Sequence, residues 1–85
     1  MELKEATVKC IEWVDSNTYS GWHYPKDHKY NPMVVVTVGW CIAEDEDCIT
    51  ISSSSVFGEF HQVSDTMTIP KVCIKSIVDI ELEKT

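Results

Sequence analysis

Apolar side chains recur at every second position through most of this chain, the spacing of β-strands, and no segment sustains the 3.6-residue period of an amphipathic helix. The clearest run is Met33 to Ala43. Val34, Val36, Val38, Trp40 and Ile42 fall on one face of it, while Met33, Val35, Thr37, Gly39, Cys41 and Ala43 make a second face that is also mostly apolar. A strand with one solvated face carries polar residues there, so this one is expected to be covered on its outside by a loop or a second subunit. Thr7 to Val14 is β-branched and aromatic enough for an earlier strand, although its alternation slips around Cys10–Ile11. Glu44–Asp47 makes a polar turn, and Cys48 to Ser54 returns as a strand with Ile49 and Ile51 facing inward.

Ser52–Ser55 and Gly58 loosen the connection that follows. Phe60 to Ile69 reads as a fourth strand, interrupted by a bulge or tight turn near Ser64–Asp65. Pro70 ends it, having no N–H to give to a ladder, and Pro70–Cys73 suits a single helical turn. Ile74 to Leu82 closes the chain as a fifth strand, with Ser76, Val78, Ile80 and Leu82 alternating against Lys75, Ile77 and Asp79. With 85 residues, no internal repeat and no Gly/Ser-rich linker, residues 1–85 are expected to form one domain. Five short strands, a long insertion after the first and a helical turn before the last predict an all-β fold, a small five-stranded SH3-like or Sm-like barrel. An OB-type barrel fits less well, because it usually carries a helix between its third and fourth strands.

The insertion, Asp15 to Pro32, has no apolar periodicity, and connections longer than about 12–15 residues in compact domains are usually functional or disordered. Its composition opposes disorder. Tyr19, Trp22, Tyr24 and Tyr30 stand in it with His23 and His28, and a disordered linker is poor in aromatics. The loop is expected to pack, either on its own barrel or around a ligand. Its rings can cap an open barrel end, stack on a planar ligand such as a base, or anchor a protein interface, where Trp and Tyr are enriched. Ser20-Gly21 before Trp22 allows a close backbone approach in each case.

Charge narrows the partners. Fourteen acidic against seven basic residues give a net −7, which opposes a generic grip on duplex nucleic acid, where several Lys or Arg must meet phosphates. No apolar stretch approaches the roughly 20 residues of a membrane span, and no basic-then-apolar leader opens the chain, so a cytoplasmic protein is expected. Four cysteines at Cys10, Cys41, Cys48 and Cys73 contain no CxxC pair and match no zinc spacing. In a reducing compartment they behave as small buried hydrophobes. Cys41 and Cys48 flank a short turn and can lie opposite each other on paired strands, so proximity alone would not make them a bridge.

Catalytic patterns are thin. His23, His28 and His61 lack the i,i+4 spacing of a helical zinc site, and there is neither a GxSxG elbow nor a phosphate-binding glycine loop. Glu44-Asp45-Glu46-Asp47 runs four acids together without the alternation and glycine of a calcium loop, and reads as a solvated hairpin tip. A non-enzymatic protein is expected, with no catalytic residue, metal or cofactor. Lys71 at the start of the helical turn and Lys75 at the head of the last strand, with Lys26 and Lys29 in the long loop, can bring positive charge to a small anion despite the overall balance.

The run Ile11-Glu12-Trp13-Val14-Asp15-Ser16, then Ser20-Gly21-Trp22, Val38-Gly39-Trp40 with Glu44-Asp45, and Thr68-Ile69-Pro70-Lys71 with Ile74-Lys75-Ser76-Ile77, resembles a group of small phage-encoded proteins. The resemblance extends from Ile11 to Leu82 and rests on a pattern of Trp, Gly and IPK-type turns. It implies a viral product acting in the host bacterial cytoplasm, and an Sm-like barrel. By analogy of class with phage proteins that trap nucleotide second messengers, the expected function is to sequester a small nucleotide-like signal and so counter host defence. Tyr19, Trp22 and Tyr24 would stack on the base, and His23, Lys71 and Lys75 would meet phosphate or ribose, in a homo-oligomer. Two alternatives stand beside this: an acidic protein-interaction inhibitor of a host factor, and a small virion or assembly component. An Sm-like RNA-binding ring fits the charge least.

Overall fold

A computed structural model describes residues 7–81. Its order is β1 (Val8–Asp15), a 3-10 turn (Pro25–Asp27), β2 (Met33–Glu44), β3 (Cys48–Val56), β4 (Gln62–Pro70), a 3-10 turn (Lys71–Cys73) and β5 (Ile74–Ile80). The five strands form one antiparallel sheet in the order β4-β3-β2-β1-β5. It is not closed: β4 and β5 are its two edges and share no ladder. The predicted Leu82 end of β5 lies outside the described residues.

Local chemistry sets the boundaries. The β2–β3 turn is fastened by Asp45, whose Oδ1 accepts the backbone N–H of Asp47 and of Cys48, each at 2.8 Å. Those two donors hold the Asp45 carboxyl below the ordinary carboxylate range. At the far end of β4, Pro70 pairs with Cys48, and the Lys71 N–H then turns away to donate to the Asp47 carbonyl at 2.8 Å. The irregularity expected near Ser64–Asp65 is at Asp65, which adopts φ 53, while Ser52–Thr66 and Ser54–Ser64 keep one register on either side. All eight residues of β1 pair with β2 in a continuous ladder, so the slip in apolar alternation at Cys10–Ile11 is one of side-chain type and not of register. β1 is irregular only against β5, between Glu12 and Trp13.

The core is small: Ile11 and Trp13 of β1, Ile49 and Ile51 of β3, and Ile69 of β4, with Val35, Cys41 and Ile74 packed against them. The sheet must curl to bring Ile69, on one edge strand, into the same cluster as Ile74 at the head of the other. Inside it, the Trp13 indole N–H donates to the Thr37 hydroxyl at 2.9 Å. Register fixes which face of β2 turns in. Ile11 lies across from Thr37 and Trp13 from Val35, so the inner face is Val35, Thr37, Gly39 and Cys41. Val34, Val36 and Val38 point outward and are exposed. No described loop covers them. Ile42 is unpaired: the ladder steps from Cys41–Ile51 to Ala43–Thr50, leaving it in a bulge. Nor do the two cysteines flanking the turn face each other, because Cys41 pairs with Ile51 and Cys48 with Pro70. All four cysteines are half-buried free thiols, and burial pushes that of Cys41 up.

A core of five residues leaves a long molecule, 56 × 27 × 23 Å with a radius of gyration of 17.0 Å. A compact domain of this length has about 12 Å.

Candidate functional site: the aromatic loop cleft

Residues 16–32 join β1 to β2, and their two ends rise from neighbouring positions because Asp15 pairs with Met33. The Asn17 side-chain amide donates across the mouth to the Asn31 carbonyl at 3.3 Å. At the tip, Pro25 starts a 3-10 turn with its φ already set. The turn is completed by N–H donation from Asp27 to the Tyr24 carbonyl at 3.0 Å and from His28 to the Pro25 carbonyl at 3.3 Å. The segment therefore doubles back as two arms. Gly21, at φ 92, supplies a left-handed bend in the outgoing arm that an L-side chain resists.

The arms are held together by rings. Tyr19 and His23 come from the outgoing arm, His28 and Tyr30 from the returning one. Tyr19 lies 4.4 Å from His23 and 4.2 Å from His28, His28 lies 4.6 Å from Tyr30, and the two imidazoles are 5.3 Å apart. These are centroid separations at which tilted and edge-on aromatic pairs attract. His23 is fixed at both nitrogens. Its Nδ1 faces the Gly21 carbonyl at 3.4 Å and its Nε2 shares a hydrogen bond with the Tyr30 hydroxyl. A carbonyl only accepts, so the tautomer that satisfies both contacts has Nδ1–H donating to Gly21 and Nε2 accepting a hydrogen bond from the Tyr30 hydroxyl.

Beside this cluster opens a cleft of about 610 Å³, within the size range of small-molecule sites. Tyr19, His23, His28 and Tyr30 line it together with Lys29 and the polar residues Asn17, Thr18 and Asn31. Planar apolar faces, one cation and neutral donors and acceptors suit a flat ligand with an anionic group.

Of the six residues expected at the site, Tyr19 and His23 are brought together here. Trp22 and Tyr24 belong to the same loop but project away from the cleft into solvent, 105% and 74% exposed. A ring capping the sheet would be buried, so Trp22 caps nothing. Lys71 and Lys75 do not line the cleft. Lys71 is engaged by Glu44, Nζ to Oε2 2.8 Å, and its ammonium holds the Glu44 carboxyl below its ordinary range. Lys75 sits exposed in β5, where the register to β1 skips from Ile74–Trp13 to Ser76–Glu12. Lys29, already offered by the sequence as a cation for a small anion, lines the cleft, and so do His28 and Tyr30, which were not among the six residues expected there. The signal that could have found them is symmetry: a Tyr and a His on each side of a Pro-initiated turn, which a doubled-back loop must bring face to face.

Among the described residues no three His, Cys, Asp or Glu side chains gather as a metal site, and no helix is long and apolar enough to cross a membrane. Comparison with protein families, with curated proteins and with solved structures gives no match. The chemistry of the loop is therefore the basis for reading what the chain does.

Proposed function

We propose that this chain is a non-enzymatic binding module that holds a small, flat, anionic ligand of the nucleotide class in the loop cleft. The observation that carries the reading is the meeting of Tyr19, His23, His28 and Tyr30 from two arms of one loop in a cleft that Lys29 also lines. Tyr19 and the imidazoles offer stacking surfaces, Lys29 meets phosphate, and Asn17 and Asn31 meet sugar or base edges. Trp22 and Tyr24, displayed on the rim, supply further ring faces to a ligand larger than one nucleotide. In a phage setting, inside the host cytoplasm, such a module withdraws a nucleotide signal from a defence pathway. The five-strand order with a helical turn before β5 is in keeping with an SH3-like or Sm-like barrel left open along one seam.

Isothermal titration calorimetry with ATP, ADP-ribose and a cyclic dinucleotide tests this. Stacking is worth about 1–3 kcal/mol per base, so Tyr19→Ala is expected to weaken the best of the three by about 5- to 150-fold while the circular dichroism of the sheet is unchanged. Absence of binding to all three by folded wild-type protein would refute the nucleotide reading.

A second reading is favoured by Trp22 itself. A fully exposed tryptophan on a fixed loop is the kind of residue that dominates protein interfaces, so an inhibitor of a host protein would engage through Trp22 and Tyr24. Under that reading Trp22→Ala abolishes capture of the host partner and Tyr19→Ala does not.

A further inference from the structure

The sheet has a second, unused surface. Strand register places Val34, Val36 and Val38 of β2 in line with Val78 and Ile80 of β5 on its outer face, across β1. These five side chains are between 37% and 61% exposed. Val8, Cys10 and Val14 of β1 lie between them, half-buried. The one charged residue that register puts on this face is Glu12, opposite Val36 and Ser76. Lys9 and Asp79 pair with each other at 2.8 Å on the inner side, and Lys75 falls at the break in the β1–β5 register, where the ladder assigns it no face.

We infer that the outer face of β1, β2 and β5 is a dimer interface that a second copy of this chain covers, sheet against sheet. Area and charge select that occupant. The five exposed side chains offer on the order of 400 Å² and their half-buried neighbours raise this to about 600 Å², the upper end of the largest apolar patch on an ordinary monomer, which is often functional. Two such faces bury about 1,200 Å², the lower bound for a stable specific interface. A charged partner finds only one carboxylate to answer, whereas a twofold copy sets valines against valines at the usual spacing of packed sheets. The same contact answers the oddity of β2, a strand apolar on both faces. It is independent of the loop cleft, and neither reading depends on the other.

The test is sedimentation velocity on the whole chain, together with iodoacetamide labelling of Cys10 followed by peptide mapping. Wild-type protein is expected at twice the 9.7 kDa chain mass. The Val36→Lys variant is expected at the single-chain mass with its sheet intact, because the new ammonium stands directly across the ladder from Glu12. In wild-type protein Cys10 alkylation should slow several-fold as concentration rises through the dimerisation range. Should Val36→Lys fail to fold, the Cys10 rates decide alone. A wild-type monomer at submillimolar concentration, with Cys10 labelling independent of concentration, overturns the inference, whether the face is then bare or covered by a terminal segment of the same chain. A Val36→Lys variant that stays folded and dimeric overturns it too.

Discussion

Gly39 is the position at which two physical rules give opposite signs. Glycine inside a strand costs about 0.5–1 kcal/mol relative to alanine through the freedom it loses on folding, so propensity alone predicts that Gly39→Ala stabilises the protein. Geometry predicts the reverse. Gly39 is buried on the inner face of β2, and a Cβ there would overlap Cγ2 of Ile51 and lie 2.7 Å from the Ser52 carbonyl oxygen and 3.4 Å from its carbon. Neither neighbour gives way cheaply. Ser52 presents backbone, in register with Trp40. Ile51 is 2% exposed and packed with Ile11, Ile49 and Ile69, and its β-branch leaves little choice of χ1. Overpacking of this kind costs about 1–3 kcal/mol. The overlap with backbone and with a locked side chain puts the cost at the upper end of that range, so subtracting the entropic gain leaves a net loss of about 2–2.5 kcal/mol, or a Tm lowered by about 8–20 °C for a domain of this size. Thermal and urea melts of Gly39→Ala measure it, with Ala43→Gly, exposed on the same strand, as the control that should lose about 0.5–1 kcal/mol by entropy alone. An unchanged or raised Tm in Gly39→Ala would refute the close approach of β2 to β3.

Other consequences are as direct. Trp13→Phe keeps the ring in the core but leaves the Thr37 hydroxyl without its donor, and urea unfolding is expected to show a loss of about 1–2 kcal/mol that largely disappears when Thr37→Val is added. Asp45 and Glu44 both have lowered folded-state pKa values, so their contribution is present above the ordinary carboxylate range and is lost as pH falls through the folded values. The Tm difference between wild type and Asp45→Ala should thus be visible at neutral pH and vanish in acid, and a difference that survives full protonation would rule out the charged cap.

The strands were legible because their ends are written in strong local chemistry. Glu44–Asp47 and Pro70 stop β2 and β4 where the structure stops them, to within a residue. The faces of β2 were harder, since Val34–Val36–Val38 and Val35–Thr37–Gly39 are both compatible with burial. The choice depends on which residues of β1 stand opposite, and that pairing is non-local. Gly39 carried a hint, because a strand interior keeps a glycine where another backbone comes close. The bulge at Ile42 also broke a period that looked continuous on paper. In the loop, ring density marked Tyr19 and His23. Lys71 and Lys75 lie apart from the loop cleft, which the sequence did not show because charge has no partner until the chain folds, and the partner of Lys71 is Glu44.

The pairing of Asp15 with Met33 means that the long loop leaves and re-enters the sheet at adjacent points. Its 17 residues, 16–32, are an excursion that the ladder does not need. Closure entropy rises only with the logarithm of length, so trimming such a loop to a tight turn returns roughly 1 kcal/mol and adding residues costs even less. Sheet and loop are thereby free to change on separate terms. The isoleucine core fixes a platform, and insertions, deletions and new side chains between Asp15 and Met33 can explore other ligands without asking the platform to refold.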